Sequence, residues 1–448
     1  MIVDNIHKFK MGELNIVLDP PSNAVHVMSD LAYDMLDFFE FPLESLFEKF
    51  SMTSRGEVAE AYQEINELIS QGLLFTRDFC KDLPPQNGED VIKSICLNVA
   101  HDCNLRCKYC LAATGDFGTG RELMPFEVGK AAIDFLLEKS ANRPVVEVDF
   151  FGGEPLMNFE VVKKIVEYAR SLETKARKKF RFTITTNGTL LNDENIVYIN
   201  ENMHNAVLSI DGRCEVNDKF RHFENEAGTH DIIIEKFKKL VRTRNKDYYA
   251  RGTFTKENLD FTSDVKHLFE NGFEQISVEP AVTDPCLDYA LKEEDLPKIC
   301  EEYEKLAEYI AKMKADGKHI NFFHFKADFD NGPCVKKRIK GCGRGQEYVA
   351  VTPNGDIYPC HQFVGLDEYK MGNILNEKQL ETAPFCGCNL YSCKECEGCW
   401  ARFFCGGGCY ANNAIYEKNP LVPLKISCEM QKKRTECAIY LKVLELMD

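Results

Sequence analysis

Short apolar runs alternate with amphipathic helical stretches between about residue 92 and residue 325. The apolar runs predict six strands, at 94–100, 145–151, 180–186, 206–210, 249–254 and 275–279. The helical stretches follow them at 126–139, 159–175, 192–203, 231–243, 260–271 and 293–316. Six strand–helix units in succession predict an α/β fold with a parallel sheet, either open or curled into a partial barrel. Functional sites of such sheets gather at the carboxyl ends of the strands.

Three cysteines directly follow the first predicted strand, at that end of the sheet. Cys103, Cys107 and Cys110 lie in the run CNLRCKYC, with the spacing C-x3-C-x2-C. No fourth cysteine is near enough in sequence to join them, whereas a fully ligated [4Fe–4S] cluster takes four thiolates. The spacing therefore favours a cluster with one iron open to a further ligand. A zinc knuckle, with His101 as the nearest other soft ligand, and three unrelated core cysteines are the alternatives.

Composition limits the class of protein. A chain of 448 residues predicts two or three domains. The net charge of −16 argues against nucleic acid as the main partner, because phosphate binding needs a basic surface. No stretch approaches the roughly 20 apolar residues that cross a bilayer, and the first residues lack the pattern of a signal peptide. We therefore expect a cytoplasmic protein with no membrane partner.

The twenty cysteines are clustered rather than scattered. Sixteen of them lie in two zones, from Cys96 to Cys110 and from Cys334 to Cys437. Because the cytosol keeps thiols reduced, such clusters indicate metal ligation rather than disulfides. Many thiolates also make a protein sensitive to oxygen, so we expect an anaerobic setting.

Residues 1–80 predict a small winged-helix-like domain, and 81–91 a linker rich in proline, asparagine and glycine. The expected elements are strands at 14–19 and 24–28, helices at 31–40 and 58–69, and a closing strand at 73–76. Ser29 is the expected cap of the first helix. The net negative charge of the chain favours a peptide or protein ligand of this domain over DNA.

Glycines and short polar side chains end the second, third and fourth strands of the predicted sheet. They are Gly152, Gly153, Glu154, Thr186, Asn187, Ser209 and Asp211. The glycine pair lets a ligand approach the backbone, and the glutamate adds an acceptor for a ligand's ammonium group. The remaining side chains suit a ribose, although turn chemistry explains each of them as well.

These motifs resemble those of the radical S-adenosylmethionine enzymes. The family motif C-x3-C-Φ-C, in which Φ is aromatic, matches the cysteine run with Tyr109 at Φ, and the family's GGE motif matches residues 152–154. The resemblance implies a TIM-like partial (β/α)6 barrel over 92–325. It also implies an open iron that chelates S-adenosylmethionine, with Tyr109 near the adenine and the polar strand ends along the ribose. Arg221 is available to pair with the cofactor's carboxylate.

Residues 326–448 resemble the SPASM extension, with two auxiliary [4Fe–4S] clusters, which makes three clusters in all. The matching spacings are C-x12-G-x4-C from Cys342 to Cys360, then C-x2-C-x5-C-x3-C from Cys396, then Cys428. The resemblance assigns Auxiliary II to Cys396, Cys399, Cys405 and Cys428. It assigns Auxiliary I to Cys342, Cys360 and Cys409, with either Cys334 or a substrate thiolate as the fourth ligand. A zinc ribbon is the alternative. Cys386, Cys388, Cys393 and Cys437 exceed the motif and are expected to be core thiols.

Within this superfamily the chain is most similar to maturases of SCIFF peptides, of the ranthipeptide and sactipeptide type. The similar runs include IHKFKMGELNIVLDPPSNAVHV, EVDFFGGEPLMNFEVVK, AVTPNGDIYPCHQF and KKRTECAIYL. The resemblance implies thioether cross-links from cysteine sulfur to carbon in a ribosomally made precursor. It further implies leader binding at a strand edge of the N-terminal domain and a flavodoxin- or ferredoxin-like electron donor. Leu111 and the run at 221–224 depart from the usual maturase residues.

Two other functions stay open on the sequence. One is a peptide or protein dehydrogenase of the anaerobic sulfatase-maturase type, for which no leader-binding domain is needed. The other is a non-catalytic iron–sulfur or zinc protein that binds peptides. No side chain is marked as the base that deprotonates a substrate thiol.

Overall fold

The structure is a computed structural model that describes residues 6–82, 91–326, 339–376, 380–381 and 387–447. Cys334 and Cys386 lie outside the described residues, so their predicted roles stay predictions. In the described part, no helix combines the length and the apolar character needed to cross a membrane.

The N-terminal part is a three-stranded antiparallel sheet with three helices. Its elements are β1 (His7–Met11), β2 (Leu14–Asp19), β3 (Ala24–Met28), α1 (Asp30–Met35), α2 (Leu43–Lys49) and α3 (Arg55–Ser70). The Ser29 hydroxyl caps α1 by accepting the N–H of Ala32, as expected. Ser54 and Glu57 form a capping box that starts α3.

Strand β2 is buried on both of its faces. Val17 belongs to the core shared with the N-terminal helices, whereas Ile16 and Leu18 belong to the main core of the protein. Because successive side chains of a strand point to opposite faces, the sheet lies between its own helices and the rest of the chain.

The closing strand expected at residues 73–76 is wrong. Phe75 has a left-handed φ of 53°, and the N–H of Thr76 donates to Oδ2 of Asp19 at 2.9 Å instead of joining the sheet. The third strand is β1, which pairs with β2 at the other edge. Its sequence, HKFKM, has only two apolar residues, Phe9 and Met11, which are buried and alternate with lysines, so the strand pattern is weak.

The central sheet has six parallel strands in chain order, which confirms the predicted parallel sheet. They are β4 (Ser94–His101), β6 (Val145–Gly152), β7 (Lys179–Thr186), β8 (Asn205–Ser209), β9 (Asp247–Phe254) and β10 (Gln275–Pro280). A short strand, β5 (Glu122–Leu123), pairs antiparallel with β4. The curl of this sheet into a partial barrel stays a prediction.

Helices cover the sheet between these strands. They are α4 (Phe126–Lys139), α5 (Phe159–Ala176), α6 (Asp193–Asn202), α7 (Cys214–Phe220), α8 (His230–Arg242), α9 (Phe261–Glu270) and α10 (Leu296–Ala315). Six of them match the predicted helices to within a few residues. The seventh, α7, was not predicted, because seven residues are too few to show a helical period.

The C-terminal part extends the same sheet. Strand β11 (Asn321–Phe322) pairs with β10, and β12 (Tyr348–Val351) pairs parallel with β4 on the other side. Strands β13 (Asp356–Tyr358) and β14 (Gly372–Asn373) continue it antiparallel. The helices that follow are α11 (Lys394–Glu397), α12 (Arg402–Cys405), α13 (Tyr410–Tyr416) and α14 (Lys425–Met447). One hydrophobic core joins this part to the central sheet.

Short 3-10 helices connect many of these elements. They lie at Leu36–Phe38, Phe79–Asp82, Ala113–Gly115, Pro155–Asn158, Lys256–Asn258, Glu293–Asp295, Phe323–Phe325, His361–Phe363, Asp367–Tyr369 and Leu390–Ser392.

Candidate active site

The loop that carries the first three cysteines leaves β4 at its carboxyl end and lies against the end of α7. The N–H of Arg106 donates to the carbonyl of His222 at 2.8 Å, and the N–H of Lys108 donates to the carbonyl of Phe220 at 3.0 Å. The loop is thus held by main-chain hydrogen bonds to a segment more than a hundred residues later in the chain.

A cavity of about 250 Å³ opens at the carboxyl ends of the parallel strands. All three cysteines of the loop and eight of the nine predicted cofactor-binding residues line it. These residues are Cys103, Cys107, Cys110, Tyr109, Gly152, Gly153, Glu154, Thr186, Asn187, Ser209 and Arg221. The fold therefore brings together side chains that the sequence placed at separate strand ends.

The glycine pair allows close contact between two segments of the chain itself. A Cβ on Gly152, whose φ is 129°, would lie 2.3 Å from the carbonyl oxygen of Ala100. A Cβ on Gly153 would lie 2.0 Å from the carbonyl oxygen of Asp102, which accepts the N–H of Glu154 at 2.9 Å. Both glycines line the cavity, but the backbone that approaches them most closely is the start of the cysteine loop.

Glu154 joins the ends of two neighbouring strands. Its buried carboxylate accepts the hydroxyl of Thr186 at 2.7 Å, the N–H of Asn187 at 2.7 Å and the N–H of Leu156 at 3.0 Å. Burial raises the pKa of Glu154, and these donors oppose that effect. A carboxylate offers about four acceptor positions, so capacity remains for the ammonium group of a ligand.

Asp211 is the one predicted cofactor contact that does not line the cavity. It is fully buried behind Tyr109, whose hydroxyl donates to its Oδ2 at 2.5 Å, while its Oδ1 accepts the N–H of Thr253 at 3.0 Å. Burial raises the pKa of Asp211 to about 6. In this position Asp211 orients the Tyr109 side chain, and its contact with a ribose stays a prediction.

Arg221 brings a buried cation to the cavity. Its Nη1 donates to the Tyr109 hydroxyl at 3.1 Å, and its buried Nε has no hydrogen-bond partner within the described ranges. A buried donor without an acceptor costs free energy, and a carboxylate ligand would remove that cost. Three thiols, an unpaired guanidinium nitrogen and a carboxylate with spare capacity fit a [4Fe–4S] cluster that carries an amino-acid ligand.

A second cavity, of about 740 Å³, brings together Cys342, Cys360 and Cys409. Five residues line both this cavity and the first one: Glu279, Pro280, Val282, Gln362 and Asn412. The two cavities are therefore neighbours that share a wall. Burial raises the pKa of the Cys360 thiol to about 12, so metal binding must displace its proton.

A third cavity, of about 410 Å³, brings together Cys396, Cys399, Cys405 and Cys428. Cys405 and Cys428 also line the second cavity. Five cysteines therefore line the second cavity, and the two sets that the resemblance assigned lie side by side. Which cluster each cysteine holds stays a prediction.

The described surplus cysteines lie outside these sets. Cys437 is fully buried on α14, and its Sγ lies 3.5 Å from the carbonyl oxygen of Tyr303 on α10. Cys393 is also fully buried, 3.8 Å from the hydroxyl of Tyr410. Cys388 is half-buried. Cys437 has the surroundings of a core thiol, whereas the thiol of Cys393 also contacts that of Cys396, a predicted ligand of Auxiliary II. The roles of these surplus cysteines stay predictions.

An ion pair that was not predicted from the sequence lies in the cavity wall. Arg251 on β9 donates through Nε to Oε1 of Glu279 on β10 at 3.1 Å, and Glu279 lines both of the first two cavities. Burial favours the neutral acid, but Arg251 lowers the pKa of Glu279 to about 2. Charged residues near the carboxyl ends of two otherwise apolar strands were the signal that could have revealed this pair.

Comparisons with protein families match two segments of the chain. Residues 87–233 match a 4Fe-4S single cluster domain, and residues 342–400 match the SPASM iron–sulfur cluster-binding domain. Among curated proteins, a cysteine-type anaerobic sulfatase-maturating enzyme of Clostridium novyi is 28% identical over 69% of this chain and 86% of its own. The subtilosin biosynthesis protein AlbA of Bacillus subtilis is 23% identical over 62% of this chain and 56% of its own.

Two groups of solved structures share the fold. The structure of native anSMEcpe with bound AdoMet and the Cp18Cys peptide has a TM-score of 0.64 at 21% identity, over 79% of this chain and 99% of its own. Streptococcus suis SuiB bound to the precursor peptide SuiA has a TM-score of 0.53 at 18% identity, over 95% of this chain and 98% of its own. The matched domains and these relatives support a radical S-adenosylmethionine enzyme with a SPASM domain, related to the anaerobic sulfatase-maturating enzymes and to maturases of ribosomally made peptides.

Proposed function

We propose that this enzyme forms thioether cross-links between cysteine sulfur and carbon in a ribosomally made, cysteine-rich peptide of the SCIFF type. The observation that carries the proposal is the shared wall between two cavities. One cavity holds the three cysteines of the radical motif, and the other holds Cys342, Cys360 and Cys409. A peptide in these cavities has its acceptor carbon beside the first cysteine set and its thiol beside the second.

The residues of the first cavity fit S-adenosylmethionine on a [4Fe–4S] cluster, which when reduced supplies a 5′-deoxyadenosyl radical. Arg221 would pair through its free Nε with the carboxylate of the methionine moiety. Glu154 would accept from the ammonium group, and Asp211 would hold Tyr109 beside the adenine. Thr186, Asn187 and Ser209, at the strand ends, would contact the ribose.

In the proposed reaction, the acceptor carbon of the peptide loses a hydrogen atom to the radical, and the cysteine thiol loses its proton. The carbon–sulfur bond then forms, and one surplus electron leaves the substrate for the auxiliary sites. Cys342, Cys360 and Cys409 would hold Auxiliary I, completed either by Cys334 or by the substrate thiolate. Because Cys405 and Cys428 line both C-terminal cavities, clusters in the two cavities would be neighbours, and either would supply a place for the electron.

The N-terminal domain is the proposed binding site for the leader of the precursor. In the described part of the chain, β3 pairs with β2 alone, so its outer edge is available to an added strand. The fold of SuiB, which was solved with a precursor peptide, matches 95% of this chain, whereas that of anSMEcpe matches 79%. A flavodoxin- or ferredoxin-like protein is the proposed electron donor.

The test uses the anaerobically reconstituted enzyme, a reductant, S-adenosylmethionine and a cysteine-rich precursor peptide. We expect roughly twelve irons per chain, in three clusters of four. Mass spectrometry should show 5′-deoxyadenosine and a peptide that has lost a pair of hydrogens and one alkylatable thiol for each link. Zinc in place of iron, or no deoxyadenosine, would support the non-catalytic peptide-binding alternative and contradict the proposal.

A dehydrogenase of the sulfatase-maturase type is the second candidate, because relatives of that type match the chain. Its product would carry an aldehyde that reacts with hydrazides, whereas a thioether would not. Deleting residues 1–80 distinguishes the two further. The deletion should abolish tight peptide binding but leave slow cofactor cleavage in a leader-dependent maturase, and it should leave peptide turnover intact in the dehydrogenase.

Cys107→Ala separates chemistry from binding. Cofactor cleavage should disappear in this variant while the affinity for the precursor is retained. Cys286→Ala is the matched control, because Cys286 is exposed and lies outside the three cysteine sets. It should behave as the wild type in both measurements.

A further inference from the structure

A cluster of metal-ligating side chains lies outside the three cavities, where α7 meets the start of α8. Cys214 is the first residue of α7, and His230 and Asp231 are the first two residues of α8. One ligand atom from each of the three lies within 4.8 Å of the others. We propose that Cys214, His230 and Asp231 bind one Zn²⁺ ion, with water in the fourth position. Thiolate, imidazole and carboxylate are the three side-chain groups that zinc takes in proteins.

The surroundings of His230 suit a metal ligand. Its Nδ1 lies 3.0 Å from Oδ1 of Asp231, on the side where the cluster converges. Its Nε2 lies 3.2 Å from Nε2 of His267 on α9. When Nδ1 binds the metal, the proton stays on Nε2 and is donated to His267. Such a hydrogen bond on the second ring nitrogen is what usually orients a metal-bound histidine.

The two ligand-bearing turns are fixed relative to each other by Asp218. Its Oδ1 accepts the N–H of Thr229 and the N–H of His230, both at 2.8 Å, and so caps the start of α8. Position 228, beside Asp218, admits only glycine, because a Cβ on residue 228 would lie 2.0 Å from Oδ2 of Asp218. Oδ2 also lies 3.5 Å from Sγ of Cys214. The ligands are therefore held in place before a metal binds.

A metal at the start of α7 would fix the helix that leads to the cofactor cavity. Helix α7 ends just before Arg221, whose carbonyl accepts the Thr229 hydroxyl at 2.8 Å. The carbonyls of Phe220 and His222 hold the loop of the first three cysteines. The proposed ion thus has a structural role: it holds α7 and α8 together. It does not depend on which peptide the enzyme modifies or on the bond that it forms.

The first experiment measures metals in the cluster-loaded holoenzyme after one equivalent of Zn²⁺ is added and unbound metal is removed. We expect one zinc per chain, with X-ray absorption showing one sulfur neighbour and otherwise nitrogen or oxygen. Cys214→Ser and His230→Gln should lose this zinc and keep their iron, while Cys286→Ser should keep both. A zinc with only sulfur neighbours would place the metal in a cluster site and overturn the proposal, as would wild type that retains no zinc.

A second pair of variants keeps the proposal testable if the first variants misfold. Asp231 and Glu235 are both exposed carboxylates on α8, but only Asp231 lies in the cluster. In competition with a chromophoric chelator, Asp231→Asn should weaken zinc binding by about tenfold or more, and Glu235→Gln should leave it unchanged. Equal zinc affinities for Asp231→Asn and wild type would contradict the assignment of the carboxylate as a ligand.

Discussion

The Tyr109 hydroxyl donates to Oδ2 of Asp211 at 2.5 Å. This hydrogen bond connects the cysteine loop to the end of β8, at the carboxyl ends of the parallel strands. The same hydroxyl accepts from Nη1 of Arg221 at 3.1 Å. The Tyr109 hydroxyl therefore connects the buried Asp211 carboxyl group to the buried Arg221 guanidinium group. The position of the tyrosine ring in the cofactor cavity depends on both contacts.

Tyr109→Phe should weaken cofactor binding without loss of the cluster. The change leaves an oxygen of Asp211 and a nitrogen of Arg221 without their partner, at a cost of about 1–3 kcal/mol. The expected result is a lower unfolding temperature and a higher dissociation constant for S-adenosylmethionine, both measured anaerobically at constant iron content.

Tyr168→Phe is the control for this prediction. Tyr168 donates to Oδ1 of Asp134 at 2.6 Å, but this pair lies at the surface. Its loss should change stability by no more than about 0.5 kcal/mol. Equal effects of the two substitutions would show that the buried contact of Tyr109 has no special importance.

Arg221→Lys should raise the dissociation constant for S-adenosylmethionine by about tenfold or more. A lysine keeps the charge, but it lacks the planar fork that can bond Tyr109 and a ligand carboxylate at the same time. A charge-assisted hydrogen bond contributes about 1.5–3 kcal/mol, and each 1.4 kcal/mol is tenfold in affinity. Calorimetry of the cluster-loaded protein measures the change. Arg242→Lys, at the exposed end of α8, should bind as the wild type does, and unchanged affinity in both variants would contradict the proposed carboxylate contact.

Asp149→Asn should change how stability depends on pH. Asp149 lies on β6 and lines the second cavity, and burial, together with the nearby Glu147, raises its pKa to about 6. An unfolded aspartate has a pKa of about 3.9, so the native state binds this proton more tightly. The protonated Asp149 carboxyl group therefore stabilises the native state below about pH 4, and this stabilisation is lost as the pH rises through 6.

Asparagine cannot ionise, so this variant should be more stable than the wild type at pH 7.5, by roughly 1–3 kcal/mol. The difference should shrink towards pH 5. Anaerobic thermal unfolding between pH 5.5 and pH 8 measures it, with the exposed Asp316→Asn as control. Parallel pH profiles for wild type and Asp149→Asn would show that the Asp149 carboxyl titrates normally.

The parallel sheet could be predicted because short apolar runs alternate regularly with amphipathic helices. Strand β4 is buried along its whole length, whereas β6 and β7 alternate buried residues with exposed ones such as Glu147 and Arg181. The cysteine sets could be grouped because fixed spacings encode them. The local sequence patterns of β1 and α7 were weaker. The sequence of β1 mixes lysines with its apolar positions, and α7 is a single short helix of mostly polar residues.

Contacts between residues far apart in the chain could not be predicted. Asp211 ends a strand beside the cofactor cavity, yet its oxygens are taken by Tyr109, 102 positions earlier, and by Thr253, 42 positions later. Likewise, Cys214 and His230 form no spaced motif and meet only because Asp218 joins α7 to α8. Neither relationship has a signature in local sequence.

His7→Ala should loosen the N-terminal domain from the rest of the enzyme. The His7 ring stacks on Trp400 with centroids 3.6 Å apart, and its Nε2 lies 2.9 Å from Oε1 of Glu436 on α14. An aromatic pair of this kind contributes about 0.5–1.5 kcal/mol beyond burial. Amide hydrogens of β1 should therefore exchange up to about tenfold faster in the variant, as measured by mass spectrometry. His204→Ala, at a half-exposed ring 3.7 Å from Asp247, should leave β1 unchanged. If exchange in β1 is also unchanged in His7→Ala, pairing with β2 and the burial of Phe9 and Met11 are sufficient to hold the domain in place.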